Sequence, residues 1–130
     1  MLVLGIDPGT ATTGFGLIRV MENGSPILLH HGLIETDKET DPGVRLTQIY
    51  NEIEFLLREY KPQVLAMEKI FFFSNAKTVI RVSQAQGIVL LVSSHLGIPV
   101  HEYAPGQVKL NVTGSGRADK KMMQEAIKKM

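Results

Sequence analysis

The sequence predicts an α/β fold, with a five-stranded mixed sheet that carries helices on both of its faces. Within residues 1–35, three short apolar segments are separated by turn residues, a pattern typical of an antiparallel meander. Beyond residue 40 the apolar spacing changes to threes and fours, and segments with this helical period alternate with short strand-like runs. With 130 residues, of which 44% are hydrophobic, the chain has the size and composition of a single domain.

The first three predicted strands follow one another through short turns. Residues 2–6 are apolar and are stopped by Asp7-Pro8-Gly9, which is typical of a buried central strand with a polar residue at its exit. Residues 12–20 form the second strand. Asn23-Gly24 is a strong hairpin signal and leads into a third strand at residues 27–35.

A helix and a fourth strand are predicted next. Apolar residues recur every three or four positions between residues 46 and 60, which indicates an amphipathic helix. Asp41 is suited to cap this helix, with Pro42 at its first position, and Pro62 ends it. Residues 64–67 then form a strand that ends at Glu68.

The second half of the chain begins with a long helix, from Ser74 or Asn75 to about Leu96, although residues 88–92 locally have the composition of a strand. Gly97 ends this helix, and a fifth strand covers residues 98–103. A short helix at residues 105–112, a glycine-rich loop at 114–116 and a last helix from about residue 119 follow. An antiparallel meander followed by strand–helix alternation is the ribonuclease H-like architecture.

Composition excludes several classes of protein. The chain has no cysteine, which excludes disulfides, zinc–thiolate sites and thiol nucleophiles. No basic segment precedes Leu2, and the longest aliphatic run, residues 88–92, is far too short to span a bilayer, so we expect a soluble cytoplasmic protein. Residues 109–130 hold six cations and two anions, whereas residues 1–108 hold eight cations and eleven anions. This basic end suggests a polyanionic partner, and the alternative is a solvated lysine-rich helix face.

Two acids, Asp7 and Glu68, stand at equivalent strand ends. If the first and fourth strands are parallel neighbours, both side chains emerge at one edge of the sheet. Adjacent strands lie about 4.8 Å apart, which puts the two carboxylates within reach of one ion. Carboxylates without a neighbouring His or Cys suit magnesium or manganese. The alternatives are that Asp7 only forms the turn before Pro8-Gly9 and that Glu68 is only the first solvated residue after its strand.

Several motifs occur in order along the whole chain. They are LGIDPG at residues 4–9, TGFG at 13–16, AMEKIFF at 66–72, NA at 75–76, QAQG at 84–87, EYAP at 102–105, VK at 108–109 and GSGRADK at 114–120. Together they resemble the RuvC-type Holliday-junction resolvases. The opening motif alone is also similar to the first strand of actin-like ATPases and sugar kinases, whereas the segments around Glu68 and Arg117 are more discriminating.

The resemblance implies a homodimeric endodeoxyribonuclease that resolves four-way DNA junctions by paired symmetric nicks, in recombination and repair. It also implies phosphodiester hydrolysis with two Mg²⁺ ions, or Mn²⁺ as substitute, and a branch-migration helicase complex as partner. Asp7 and Glu68 match the first two catalytic acids of the family, with Asp7 bridging both ions and Glu68 binding one.

The resemblance also assigns DNA contacts. Phe71 matches an aromatic residue that inserts at the junction, although Phe71, Phe72 and Phe73 could instead form a core cluster. Lys109 and Lys120 match basic residues near the scissile phosphate and the backbone, and Arg81 and Arg117 are further candidate phosphate contacts. The long helix resembles the element through which the family dimerises, although an ordinary buried helix has the same pattern.

Family members carry two further acids beyond the point that corresponds to Met130. We therefore expect residues 1–130 to be a single nuclease domain that lacks the C-terminal segment of the family and is inactive as it stands, with half of a four-acid site. One alternative is a non-catalytic module that binds DNA junctions. Another is a fragment of an actin-like ATPase or sugar kinase.

Overall fold

The computed structural model describes residues 1–37, 39–69 and 76–104, and the described part contains five strands and two helices. In chain order these are β1 (Leu2–Pro8), β2 (Thr12–Val20), β3 (Pro26–Glu35), α1 (Pro42–Tyr60), β4 (Val64–Glu68), α2 (Ala76–His95) and β5 (Val100–Tyr103). The predicted helices at 105–112 and from residue 119, and the loop between them, lie outside the described residues.

The strands form one mixed sheet in the order β3-β2-β1-β4-β5. β1 pairs antiparallel with β2, and β2 with β3, whereas β1 with β4 and β4 with β5 are parallel pairs. The meander, the strand–helix alternation and the parallel contact between the first and fourth strands are thus confirmed. The sheet changes from antiparallel to parallel pairing at β1, the strand that carries Asp7.

Local signals determine both ends of α1. The Asp41 carboxylate accepts a hydrogen bond from the Gly43 N–H at 2.8 Å, and Pro42 occupies the first turn, as predicted. At the other end the helix finishes with Lys61 in the left-handed conformation, at φ 47°, one residue before Pro62. The Lys61 N–H donates to the Leu57 carbonyl at 3.0 Å, which satisfies one of the last carbonyls of the helix.

The core lies between one face of the sheet and the two described helices. Alternate residues of β1 and β4 are buried there, among them Leu4, Ile6, Leu65 and Met67. They belong to one cluster with Ile49, Ile53, Leu56 and Leu57 of α1 and Ala85, Val89 and Val92 of α2. Each large aliphatic side chain of this cluster contributes about 1.5–3 kcal/mol of burial free energy. Helices were predicted on both faces of the sheet, but both described helices pack on this one face, and the remaining predicted helices lie outside the described residues.

Two strand boundaries differ from the prediction, since β5 begins at Val100 and not at residue 98, and β1 ends later than residue 6. β1 continues through Pro8, because β2 pairs with it as far as Asp7↔Gly14 and Pro8↔Thr13, so Asp7 lies within the strand and not after it. The predicted helix is confirmed at residues 88–92, where Val89 and Val92 lie one turn apart and pack into the core. Within the described ranges no helix combines the length and the apolar character that crossing a membrane requires.

Candidate metal and phosphate site

The sheet register brings Asp7 and Glu68 together. Ile6 of β1 pairs with Met67 of β4, and both side chains are buried in the core. Asp7 and Glu68 are the next residues of the two strands, so their side chains lie on the opposite face. Asp7 is exposed and Glu68 is half-buried, and both line one cavity of about 430 Å³. The predicted proximity of the two acids is therefore present in the structure.

Small residues keep this cavity open. Besides the two acids and Tyr103, its lining includes Gly5, Gly14, Gly16 and Ala66. A Cβ added at Gly16 would meet no atom within 4 Å, and one added at Gly5 would make only an ordinary contact, at 3.7 Å from the Gly16 carbonyl oxygen. The described part of the chain therefore leaves space above the sheet beside the two carboxylates.

The wall of the cavity affects the charge of Asp7. Although this side chain is accessible to solvent, neighbouring protein atoms remove part of its hydration, and this burial raises the pKa of the Asp7 carboxyl. A cation beside Asp7 would favour the ionised form and lower that pKa again. The site thus has an electrostatic reason to bind a positive ion.

The donors at the site suit a hard divalent cation. Two carboxylates on adjacent strands offer oxygen ligands, which magnesium and manganese prefer. Across the described ranges no group of three or more His, Cys, Asp or Glu side chains is close enough to hold a metal ion. The two acids therefore account for only part of the coordination of an ion, and water or other ligands complete it.

Two side chains from the core-side helices reach the strand ends that carry the acids. Arg45 of α1 donates from Nη2 to the Gly9 carbonyl at 3.0 Å, just after Asp7. Gln86 of α2 donates from Nε2 to the main-chain carbonyl of Glu68 at 2.8 Å.

Sequence reasoning did not single out either contact, although Gln86 belongs to the QAQG motif. A signal for Arg45 did exist. It stands four residues before Ile49 and eight before Ile53, so it shares the buried stripe of α1 and has only 4% of its surface exposed.

Arg81 lies on α2 and is half-buried. Burial lowers the pKa of the Arg45 guanidinium, and repulsion from the charge of Arg81 lowers it further. Arg45 itself contacts the loop that follows Asp7. The other predicted DNA contacts, Phe71, Lys109, Arg117 and Lys120, lie outside the described residues.

Comparisons with known proteins agree with one another. The family model described as crossover junction endodeoxyribonuclease RuvC matches residues 3–130. A RuvC from Syntrophomonas wolfei is 50% identical over 130 residues, which cover all of this chain and 75% of that protein. A RuvC from Thermosipho melanesiensis is 44% identical, over 98% of this chain and 81% of its own. The solved structure of T. thermophilus RuvC in complex with a Holliday junction substrate matches with a TM-score of 0.91 and 30% identity, over 99% of this chain and 78% of that one.

Proposed function

Since the chain belongs to the RuvC family of crossover junction endodeoxyribonucleases, we propose that it hydrolyses phosphodiester bonds of four-way DNA junctions at a metal site formed by Asp7 and Glu68. The observation that carries this proposal is the meeting of the two carboxylates in one cavity, at neighbouring ends of parallel strands. The T. thermophilus relative has been solved with a Holliday junction, which supports the same substrate for this chain.

Divalent cations, for which we propose two Mg²⁺ ions with Mn²⁺ as substitute, supply Lewis-acid activation of water and of the scissile phosphate when bound. Asp7 would contribute ligands toward both ions and Glu68 toward one. Burial makes the ionised form of the Asp7 carboxylate less favourable, and a bound cation would offset that cost by neutralising the negative charge. The small residues of the cavity leave a sugar–phosphate backbone room to approach the two acids.

We further propose that the DNA is held by Phe71, Lys109, Arg117 and Lys120 together with Arg81. Phe71 would stack on an unpaired base at the crossover, an interaction that contributes about 1–3 kcal/mol per base. Arg81 is a half-buried cation of α2, the helix whose Gln86 side chain bonds the Glu68 carbonyl. That position supports a phosphate contact beside the metal site.

Two partners complete the proposal. The enzyme would act as a homodimer, because symmetric nicking of a junction needs two active sites. Ile80, Leu90 and Leu91 of α2 support a dimer contact, since they are 56%, 41% and 46% exposed and so present apolar surface on the outside of that helix. A branch-migration helicase complex would deliver the junction.

The decisive experiment measures cleavage of a synthetic four-way junction and Mn²⁺ affinity in Asp7→Asn and Glu68→Gln. Both variants should lose Mn²⁺ affinity by more than about 100-fold, together with any cleavage that the chain supports, because removing even an outer-shell partner of a metal ligand costs about 10–100-fold. Glu102→Gln is the matched control, because Glu102 is an exposed acid of β5 at the same edge of the sheet.

Three outcomes of this experiment are informative. Wild-type metal affinity in Asp7→Asn would place the metal elsewhere. Equal losses in Glu102→Gln would show that general negative charge, and not these two carboxylates, attracts the ion. Tight junction binding by an unaltered chain that neither binds Mn²⁺ nor cleaves at any metal concentration would favour the alternative of a non-catalytic junction-binding module.

A further inference from the structure

The sheet loses one hydrogen bond where the two acids lie. β1 and β4 pair in parallel from Val3↔Val64 to Ile6↔Met67. On the other side of β4, the Leu65 N–H donates to the Pro99 carbonyl and the Lys69 N–H, just after the strand, donates to the Tyr103 carbonyl. Alternate residues of a strand bond to opposite neighbours, so Ala66 and Glu68 face β1. The next bond in that series would run from the N–H of residue 8 to the carbonyl of Glu68.

Residue 8 is proline, which has no N–H to donate. The pairing of β1 with β4 accordingly ends at Ile6↔Met67, one position before the two acids. The last bond that this register implies runs from the Glu68 N–H to the Ile6 carbonyl, and no ladder bond from residue 8 reaches the Glu68 carbonyl. A contact from outside the ladder therefore takes the place of this bond at the Glu68 carbonyl.

Gln86 supplies such a contact. Its side-chain amide donates to the Glu68 carbonyl at 2.8 Å, and the bond is partly buried between α2 and the sheet. On the other strand, Arg45 of α1 holds the Gly9 carbonyl at 3.0 Å. Each acid-bearing strand end is thus attached to a helix on the core side of the sheet.

We propose that Gln86 is a positioning residue of the metal site: it replaces the ladder bond that Pro8 cannot make and so holds the Glu68 carboxylate at the distance from Asp7 that a bound ion requires. This inference rests on the proposed function, because it takes Asp7 and Glu68 as the metal ligands. Gln86 acts on the main chain of Glu68 and does not touch the ion.

The test is the affinity of the whole chain for Mn²⁺ alone, measured by calorimetry in the absence of DNA. Gln86→Met keeps the size of the side chain and removes its donor. We expect it to weaken Mn²⁺ binding by about 10–100-fold, the usual effect of removing an outer-shell partner. Gln84→Met is the matched control, since Gln84 is exposed on the same helix, and it should bind Mn²⁺ like the unaltered chain.

A rescue variant separates positioning from general damage to the fold. Pro8→Ala returns an N–H to residue 8, so the double variant Pro8→Ala/Gln86→Met can form the missing ladder bond and should recover most of the Mn²⁺ affinity. A purely structural role for Gln86 would give no such recovery. If Gln86→Met does not fold, Gln86→Glu, which also lacks the donor, is measured in its place, alone and with Pro8→Ala.

Three patterns of results overturn different claims. Mn²⁺ binding that is equal in Gln86→Met, Gln84→Met and the unaltered chain, while Asp7→Asn abolishes it, refutes the positioning role and leaves the metal site intact. Mn²⁺ binding that survives in Asp7→Asn and Glu68→Gln refutes the proposed site itself. Loss in Gln86→Met without recovery in the double variant also refutes the replacement of the ladder bond.

Discussion

The two faces of the sheet have different roles: residues on one face pack in the core and stabilise the fold, whereas residues on the other face line the candidate metal site. On one face, Leu4 and Ile6 of β1 are 0% and 4% exposed and pack with both described helices. On the other face, the intervening residues Gly5 and Asp7 line an open cavity. Because neighbouring residues of a strand point to opposite sides, one short segment serves both purposes. Substitutions at two neighbouring positions of β1 should therefore affect different properties, stability at one position and the metal site at the other.

The largest expected effect is on the packed face. Leu4→Ala should lower the free energy of unfolding by about 2–5 kcal/mol, because Leu4 is fully buried and its loss leaves a cavity. Gly16→Ala is the control on the open face, where an added Cβ meets no atom within 4 Å, and it should change stability by less than about 0.5–1 kcal/mol. Denaturant titration of both variants measures the difference. Similar losses in the two would contradict the division between the faces.

A medium effect is expected at the turn that follows Asp7. The Gly9 N–H donates to the Thr12 carbonyl at 2.9 Å, and a Cβ at Gly9 would collide with that same oxygen. Gly9→Ala should therefore destabilise the chain by about 1–3 kcal/mol, the usual cost of forcing extra volume into a close contact. Thermal melts compare it with Gly16→Ala. If the two alanine variants melt together, the turn tolerates a side chain and its tightness has no bearing on the site.

The smallest effect on stability is expected at the acid itself. The raised pKa of Asp7 means that the folded chain keeps a proton at pH values where the unfolded chain has lost it. Stability contributed by this group is therefore lost as pH rises through that range. In the absence of metal, Asp7→Asn should be at least as stable as the unaltered chain at neutral pH. Melts in chelator across acid to neutral pH test this sign, and a marked destabilisation would show that the Asp7 carboxylate is needed for folding.

Sequence patterns predicted the two acids of the candidate site but not the side-chain contacts that hold the acid-bearing strand ends. Asp7 and Glu68 were found because each follows an apolar run, and the parallel contact that joins them follows from the alternation of strands and helices. The contacts that hold the two strand ends were not predictable in this way. Gln86 reaches across 18 residues to Glu68 and Arg45 across 36 residues to Gly9. Periodicity reports the face on which a residue lies but not the atom that it contacts.

The sequence by itself determined the features that depend on near neighbours in the chain. Local conformational preferences account for the Asp41 cap and Pro42 start of α1 and for the Asn23-Gly24 hairpin. They also account for the order in which strands and helices follow one another along the chain.

Tertiary structure decided the backbone conformation of segments whose local signals compete with contacts to neighbouring elements. Pairing with β2 carries β1 through Asp7 and Pro8, past the point where the apolar run ends, because backbone hydrogen bonds to Gly14 and its neighbours outweigh the local turn signal. Packing of Val89 and Val92 into the core selects a helix for a segment whose composition also suits a strand. The missing N–H of Pro8 removes a hydrogen bond from the sheet only because β4 lies beside β1.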